Sequence, residues 1–177
     1  MSFLRHTTCL TAAVLLAAAT GTASAADVRM AGGNVHFTTP SNWVDIMQTQ
    51  GDPEVHVFQV PDPSPTGDNS LARVTVTVKQ SPDLFTFNTY RNDADAKAKQ
   101  LADYRAVPLP GDDPNGNAYT ARENGTQFDY TEYYWFKDGH AIQLRCVRPA
   151  TTQAGARWTS AFDKGCHSLA AQLGRTG

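Results

Sequence analysis

Two β-rich runs, TEYYWF and AIQLRC, flank Lys-Asp-Gly-His at residues 137–140, and this short stretch constrains the fold more tightly than any other. Asp-Gly between such runs signals a two-residue type I′ turn, because both central residues must accept positive φ. A turn that short leaves the register no freedom. Counting outward pairs Lys137 with His140, Trp135 with Ile142, Tyr133 with Leu144 and Thr131 with Cys146, and the last three pairs share one face. The opposite face carries Phe136 with Ala141, Tyr134 with Gln143, Glu132 with Arg145 and Tyr130 with Val147. The first face reads as core. The second is either packed beneath a helix or an open aromatic patch of Tyr130, Tyr134 and Phe136.

The rest of the chain supplies partners for this hairpin. LARVTVTVKQ is a β-branched strand, EVHVFQV alternates, and NVHFTTPSNWVDIMQ reads as two short strands around the Pro40 turn. A further strand runs through Tyr119 and ends at a turn over residues 123–125. Between Leu84 and Leu101 the period changes: Leu84, Phe87, Tyr90 or Arg91, Ala94, Ala98 and Leu101 recur at helical steps, with Ser81 placed as N-cap and Pro82 as first helical residue. A terminal helix carries Trp158, Phe162, Cys166, Leu169 and Leu173 on one stripe. The expected class is α+β, an antiparallel sheet flanked by helices.

Arg5 followed by CLTAAVLLAAA and by Ala-Ser-Ala at 23–25 has the form of an export signal cleaved after Ala25. Removing 25 of the 177 residues leaves 152, the size of one domain, 26–177. That mature chain holds 14 basic and 17 acidic residues without a basic run, which excludes nucleic acid as a partner class. No later stretch is apolar enough to span a membrane. Export to an oxidising compartment, read as the periplasm, leaves Cys146 and Cys166 to form a disulfide that staples the last helix to the hairpin's core face.

Chemistry is thinly represented. His36, His56, His140 and His167 form no metal-binding pair, and neither a nucleophile elbow nor a phosphate-cradling loop is present, so no cofactor, metal or catalytic residue is expected. Asp112, Asp113, Asn115 and Asn117 offer hard oxygens for calcium, but their spacing does not match a twelve-residue calcium loop. An enzyme of the cell envelope would need His36 or His56 to meet a carboxylate in a cleft. Two proline-rich loops remain, PDPSPTGDNS and PLPGDDPNGN. They place Asp62, Ser64, Asp68 and Asn69, and Asp112, Asp113 and Asn115, where a basic protein partner would meet them.

The order of elements, together with Phe-x-x-Pro-x-x-Trp at Phe37, Pro40 and Trp43, the aromatic hairpin ending in AIQLRC, and Ala161-Phe162 in the terminal helix, resembles the PsbP/DcrB-like family. The resemblance implies an α/β/α sandwich and a nonenzymatic role in protein binding. The sequence-based expectation is therefore an exported protein-binding module. Its narrower form is a periplasmic immunity protein that inhibits a secreted, cell-wall-degrading effector hydrolase. The alternatives are an envelope accessory protein that binds a ligand through the aromatic face, and an envelope enzyme.

Overall fold

The computed structural model describes residues 25–62, 72–109 and 111–175. Among the described residues, nine strands and two α-helices follow one another as β1 (Ala26–Met30), β2 (Val35–Thr39), β3 (Val44–Thr49), β4 (Glu54–Gln59), β5 (Arg73–Gln80), α1 (Leu84–Ala98), β6 (Ala102–Val107), β7 (Gly116–Glu123), β8 (Thr126–Lys137), β9 (His140–Pro149) and α2 (Gly155–Arg175). Strands β3 to β9 form a seven-stranded antiparallel sheet in the order β3-β4-β5-β9-β8-β7-β6, and β1 with β2 makes a separate hairpin. The α+β class expected from the sequence is thus present.

The central hairpin adopts the register that its turn dictates. Asp138 and Gly139 both have positive φ, 46° and 71°. Lys137 pairs with His140, Glu132 with Arg145 and Thr131 with Cys146, along with the remaining pairs counted from the turn. One face of this hairpin, continued by Val74, Val76 and Val78 of β5 and Phe58 of β4, packs against α2 and the β1–β2 hairpin to form the main core. Helix α2 contributes Phe162, Cys166, Leu169 and Leu173, all buried. Burial of each such apolar side chain is worth roughly 1.5–3 kcal/mol. Cys146 and Cys166 are bonded, which ties α2 to β9 across this core.

The Phe37-x-x-Pro40-x-x-Trp43 pattern acquires a packing role here. Trp43 N–H donates to the Pro40 carbonyl at 3.0 Å, turning the chain so that the indole lies against α2. The helix meets it at Gly165, where an added Cβ would stand 2.8 Å from the indole and 3.6 Å from the Pro40 ring.

Helix α1 covers the other face. Its N-cap is Asp83, whose carboxylate accepts from Thr86 N–H at 2.7 Å, so the helix starts two residues later than a Ser81 cap implies. Ser81 instead donates its hydroxyl to the Asp83 carbonyl. The inward stripe begins at Phe87, since Leu84 and Phe85 are 60% and 81% exposed. Phe87, Tyr90 and Ala94 lie over Tyr134, Phe136 and Ala141. Residues 102–107, which carry no clear alternation, form the edge strand β6 through pairing with β7.

Candidate functional site: a polar cleft beneath helix α1

Cross-strand pairing places Asn117, Glu132, Arg145, Thr75, Val57 and Met47 in one row on the α1 side of the sheet. The row begins under the helix and runs out to the β3 edge. Glu132 is completely buried. A buried carboxylate is tolerable only when its lone pairs are filled, and three donors fill them. Tyr119 Oη donates at 2.7 Å, Arg145 Nε at 2.5 Å, and Tyr134 Oη donates to the second carboxylate oxygen. Tyr134 Oη in turn accepts from Gln143 Nε2 at 3.0 Å, and the Gln143 carbonyl oxygen accepts from Tyr90 Oη at 2.6 Å.

Each group's ionisation follows from its surroundings. Burial, and then the Glu132 charge, push the Tyr119 and Tyr134 hydroxyls well above the usual phenol range. Burial raises Tyr90 to about 12. Burial would lower Arg145, but the Glu132 carboxylate reverses that and holds the guanidinium firmly charged. A second ion pair lies alongside, in which Arg73 Nη2 donates to both oxygens of Glu123 at 2.8 Å and Tyr130 Oη donates to the same carboxylate. Burial opposes ionisation of Glu123, yet Tyr130 and Arg73 together hold it below the usual carboxylate range.

Between these pairs and the C-terminal half of α1 opens a cleft of about 410 Å³, with Arg145, Gln143 and Lys79 on its sheet side and Tyr90, Ala94 and Lys97 on its helix side. Arg145 keeps 35% of its side chain exposed here. Among the described residues its Nε alone is hydrogen-bonded, and Arg145 lines the cleft. Lys79 Nζ lies 5.8 Å from the centre of the Tyr90 ring. This arrangement presents fixed positive charge and aromatic surface, with no nucleophile activated by a base.

The residues singled out from the sequence are distributed as follows. Tyr130 and Tyr134 are 1% and 2% exposed, and Phe136 packs 5.8 Å from Phe87, so the open aromatic patch does not exist: α1 and the Glu132 network cover it. Asp62 accepts from Thr152 Oγ1 at 2.6 Å, and the neighbouring Pro61 carbonyl accepts from Trp158 Nε1, which ties that loop to the start of α2. Ser64, Asp68 and Asn69 lie outside the described residues. Asp113 accepts from the backbone and side-chain amides of Asn115, whose carbonyl accepts from Tyr134 N–H. Asp112 lies exposed beside this turn. Among the described residues no three His, Cys, Asp or Glu side chains gather as for a metal ion.

His56 does meet a carboxylate, with Nδ1 3.0 Å from Asp45 Oδ2. It is 5% exposed, however, stacks on Phe58, and its Nε2 is enclosed without a partner. His36 is exposed on β2. On the other side of the sheet a smaller cleft of about 250 Å³ lies beside the disulfide, with Arg148 held between Asp129 and Asp163 at 2.6 and 2.9 Å. The sequence register pointed to the Glu132–Arg145 pair. It did not point to Lys79, Tyr90 or Lys97, because their convergence depends on how α1 docks.

No protein-family model matches the chain, and no curated protein matches it. Solved structures do match. A point mutant of the protein Mog1 is 11% identical, with a TM-score of 0.51 over 86% of this chain and 94% of that one. The Ran-binding protein Mog1p of Saccharomyces cerevisiae is 13% identical, with a TM-score of 0.51 over 88% of this chain and 95% of that one. These findings overturn the PsbP/DcrB-like assignment. They also contradict an immunity protein aimed at a secreted cell-wall hydrolase, a reading drawn from the export signal, the small size, the missing chemistry and the two long loops. At such identity the likeness is one of fold, and the fold this chain shares is that of Mog1.

Proposed function

We propose that this chain is an exported, non-catalytic protein-binding module that meets its partner with the half of the sheet that α1 leaves open. The observation that carries the reading is the β3–β4–β5 surface. Val44 and Met47 are 50% and 49% exposed there, and Thr75 and Thr77 are half-buried, although all four belong to a face whose other half is covered. Edge strands normally carry lysines, other outward charges or proline to discourage pairing. In β3 the one charge is Asp45, and its carboxylate engages His56. The register shifts between Asp45 and Met47, and beyond that shift β3 presents Met47, Gln48 and Thr49, an uncharged stretch that suits strand addition by another polypeptide.

Two further observations support the reading. The fold is shared with a protein described as Ran-binding, an analogy of architecture that favours protein recognition without naming a partner. The Cys146–Cys166 bond suits a protein that folds in an oxidising compartment, which favours export and the periplasm. The non-catalytic part rests on His56, whose free nitrogen is sealed from substrate.

A photo-crosslinking residue placed at Met47, in cells producing the full chain, is expected to trap a discrete protein, whereas the same residue at Lys164 on α2 traps none. Met47→Glu should abolish capture by a crosslinker at Thr49. Equal trapping from both positions, or capture that survives Met47→Glu, overturns the assignment of this face. Trapping of a second copy of the chain would show that the edge serves self-association instead.

A further inference from the structure

We propose that the cleft beneath α1 is a binding site for a small organic carboxylate, read by the guanidinium of Arg145. The site is distinct from the open sheet half, so either proposal stands without the other.

Enclosing Glu132 completely requires several kcal/mol of desolvation, and a buried pair of this kind often stabilises a fold no better than apolar residues of the same volume. The geometry shows what the pair achieves. Glu132 takes Nε of Arg145, and among the described residues both terminal nitrogens are left unbonded on a side chain that is 35% exposed and lines the cleft. Arg148, by contrast, brings Nε and both terminal nitrogens onto Asp129 and Asp163. A guanidinium held in plane with two free N–H groups side by side is the arrangement that takes a carboxylate through two parallel hydrogen bonds.

The remaining walls define the ligand. Lys79 and Lys97 add positive charge at the rim, and Asp93 and Glu123 add negative charge. Glu123 is paired with Arg73 as Glu132 is with Arg145, so the charges left at the rim are those of Lys79, Lys97 and Asp93, on balance positive. Tyr90, Ala94 and Leu101 offer apolar surface for the ligand's body. A cleft of about 410 Å³ falls within the range of small-molecule sites, roughly 300–1,000 Å³.

The test is a titration of the full mature chain at low ionic strength, following the side-chain Nε–H resonance of Arg145 by NMR, with benzoate, neutral benzamide and inorganic phosphate as probes. Benzoate is expected to shift that resonance saturably with a dissociation constant of about 1 mM or tighter, while benzamide leaves it in place. Arg145→Lys keeps the charge but loses the fork, and should weaken benzoate roughly tenfold. Lys97→Ala, an exposed change that leaves the core intact, should weaken it about threefold. Should Arg145→Lys fail to fold, the resonance shift in the unaltered chain and the Lys97→Ala titration still decide. An Arg145 resonance that does not move, equal shifts from benzamide, or tighter binding of phosphate than of benzoate would overturn the assignment.

Discussion

Replacing Glu132 with glutamine tests the central feature of the α1 face, because it removes one charge while preserving the shape of the side chain. In the native protein the carboxylate accepts from Tyr119, Tyr134 and Arg145 with no contact to water. Glutamine offers one acceptor oxygen and turns an NH2 toward groups that are themselves donors. With its oxygen in the place that accepts from Tyr119 and Arg145, the NH2 faces Tyr134, whose hydroxyl can rotate to accept, while the partly exposed Arg145 cation loses its counter-charge. Removing one partner of a buried pair costs about 3–5 kcal/mol, and the retained bonds place this substitution near 3 kcal/mol. For a domain of this size that corresponds to a fall in Tm of about 6–12 °C. Thermal and urea unfolding followed by circular dichroism would measure it. The exposed Asp95–Lys99 pair is the internal control, and Asp95→Asn should produce no resolvable change. The double variant Glu132→Gln with Arg145→Gln should be less destabilised than the sum of the singles by about 2 kcal/mol, since two neutral amides can bond to each other. Additive effects, or a Glu132→Gln change as small as that of Asp95→Asn, would refute the view that this carboxylate is held as an ion among its donors.

Three other perturbations follow from the geometry. Replacing Cys146 and Cys166 together with alanine should lower unfolding free energy by about 3 kcal/mol, as expected for opening a loop closed over a sequence separation of 20, seen as a lower urea midpoint with an intact native spectrum. Gly165→Ala should cost about 1–3 kcal/mol, because its methyl would stand 2.8 Å from the Trp43 ring, and Trp43→Phe should relieve part of that loss. Tyr90, Tyr119, Tyr130, Tyr133 and Tyr134 all have raised pKa values in the folded chain, so their contribution to stability is complete below about pH 10 and is lost as pH rises through the folded values. Ultraviolet titration should therefore show phenolate appearing cooperatively with unfolding above pH 10, and five phenols ionising near pH 10 in a chain that is still folded would contradict it.

The sequence revealed those parts of the fold in which a local rule dictates long-range geometry. Asp138-Gly139 admits one turn, one turn admits one register, and that register placed Glu132 opposite Arg145 and Cys146 on the face that meets α2. The stripe of α2 was equally clear, since Phe162, Cys166, Leu169 and Leu173 repeat at helical spacing over a long segment. Residues 102–107 were opaque because five of the six are exposed, and a strand without a buried face has no alternation to show. The α1 boundary slipped for a related reason: Ser81 and Asp83 both qualify as caps, and only the fold shows which carboxylate or hydroxyl reaches Thr86 N–H.

The candidate site marks where such reading ends. Tyr130, Tyr134 and Phe136 were correctly assigned to one face, but composition alone could not show whether a helix lay over them. The helix does lie over them, yet incompletely. Its apolar stripe covers β8 and β9 and stops short of β5, β4 and β3. That offset produces both functional candidates at once. Where α1 ends over the sheet, the guanidinium of Arg145 is left half in the core and half in a cleft, and beyond it Thr75, Thr77, Val44 and Met47 continue the same face without a cover. The C-terminal end of α1 leans further toward β7, where Ala98 and Leu101 meet Tyr119 and Ala121, so it is the sideways placement of the helix that leaves Arg145 partly exposed and the β3–β5 half without a cover.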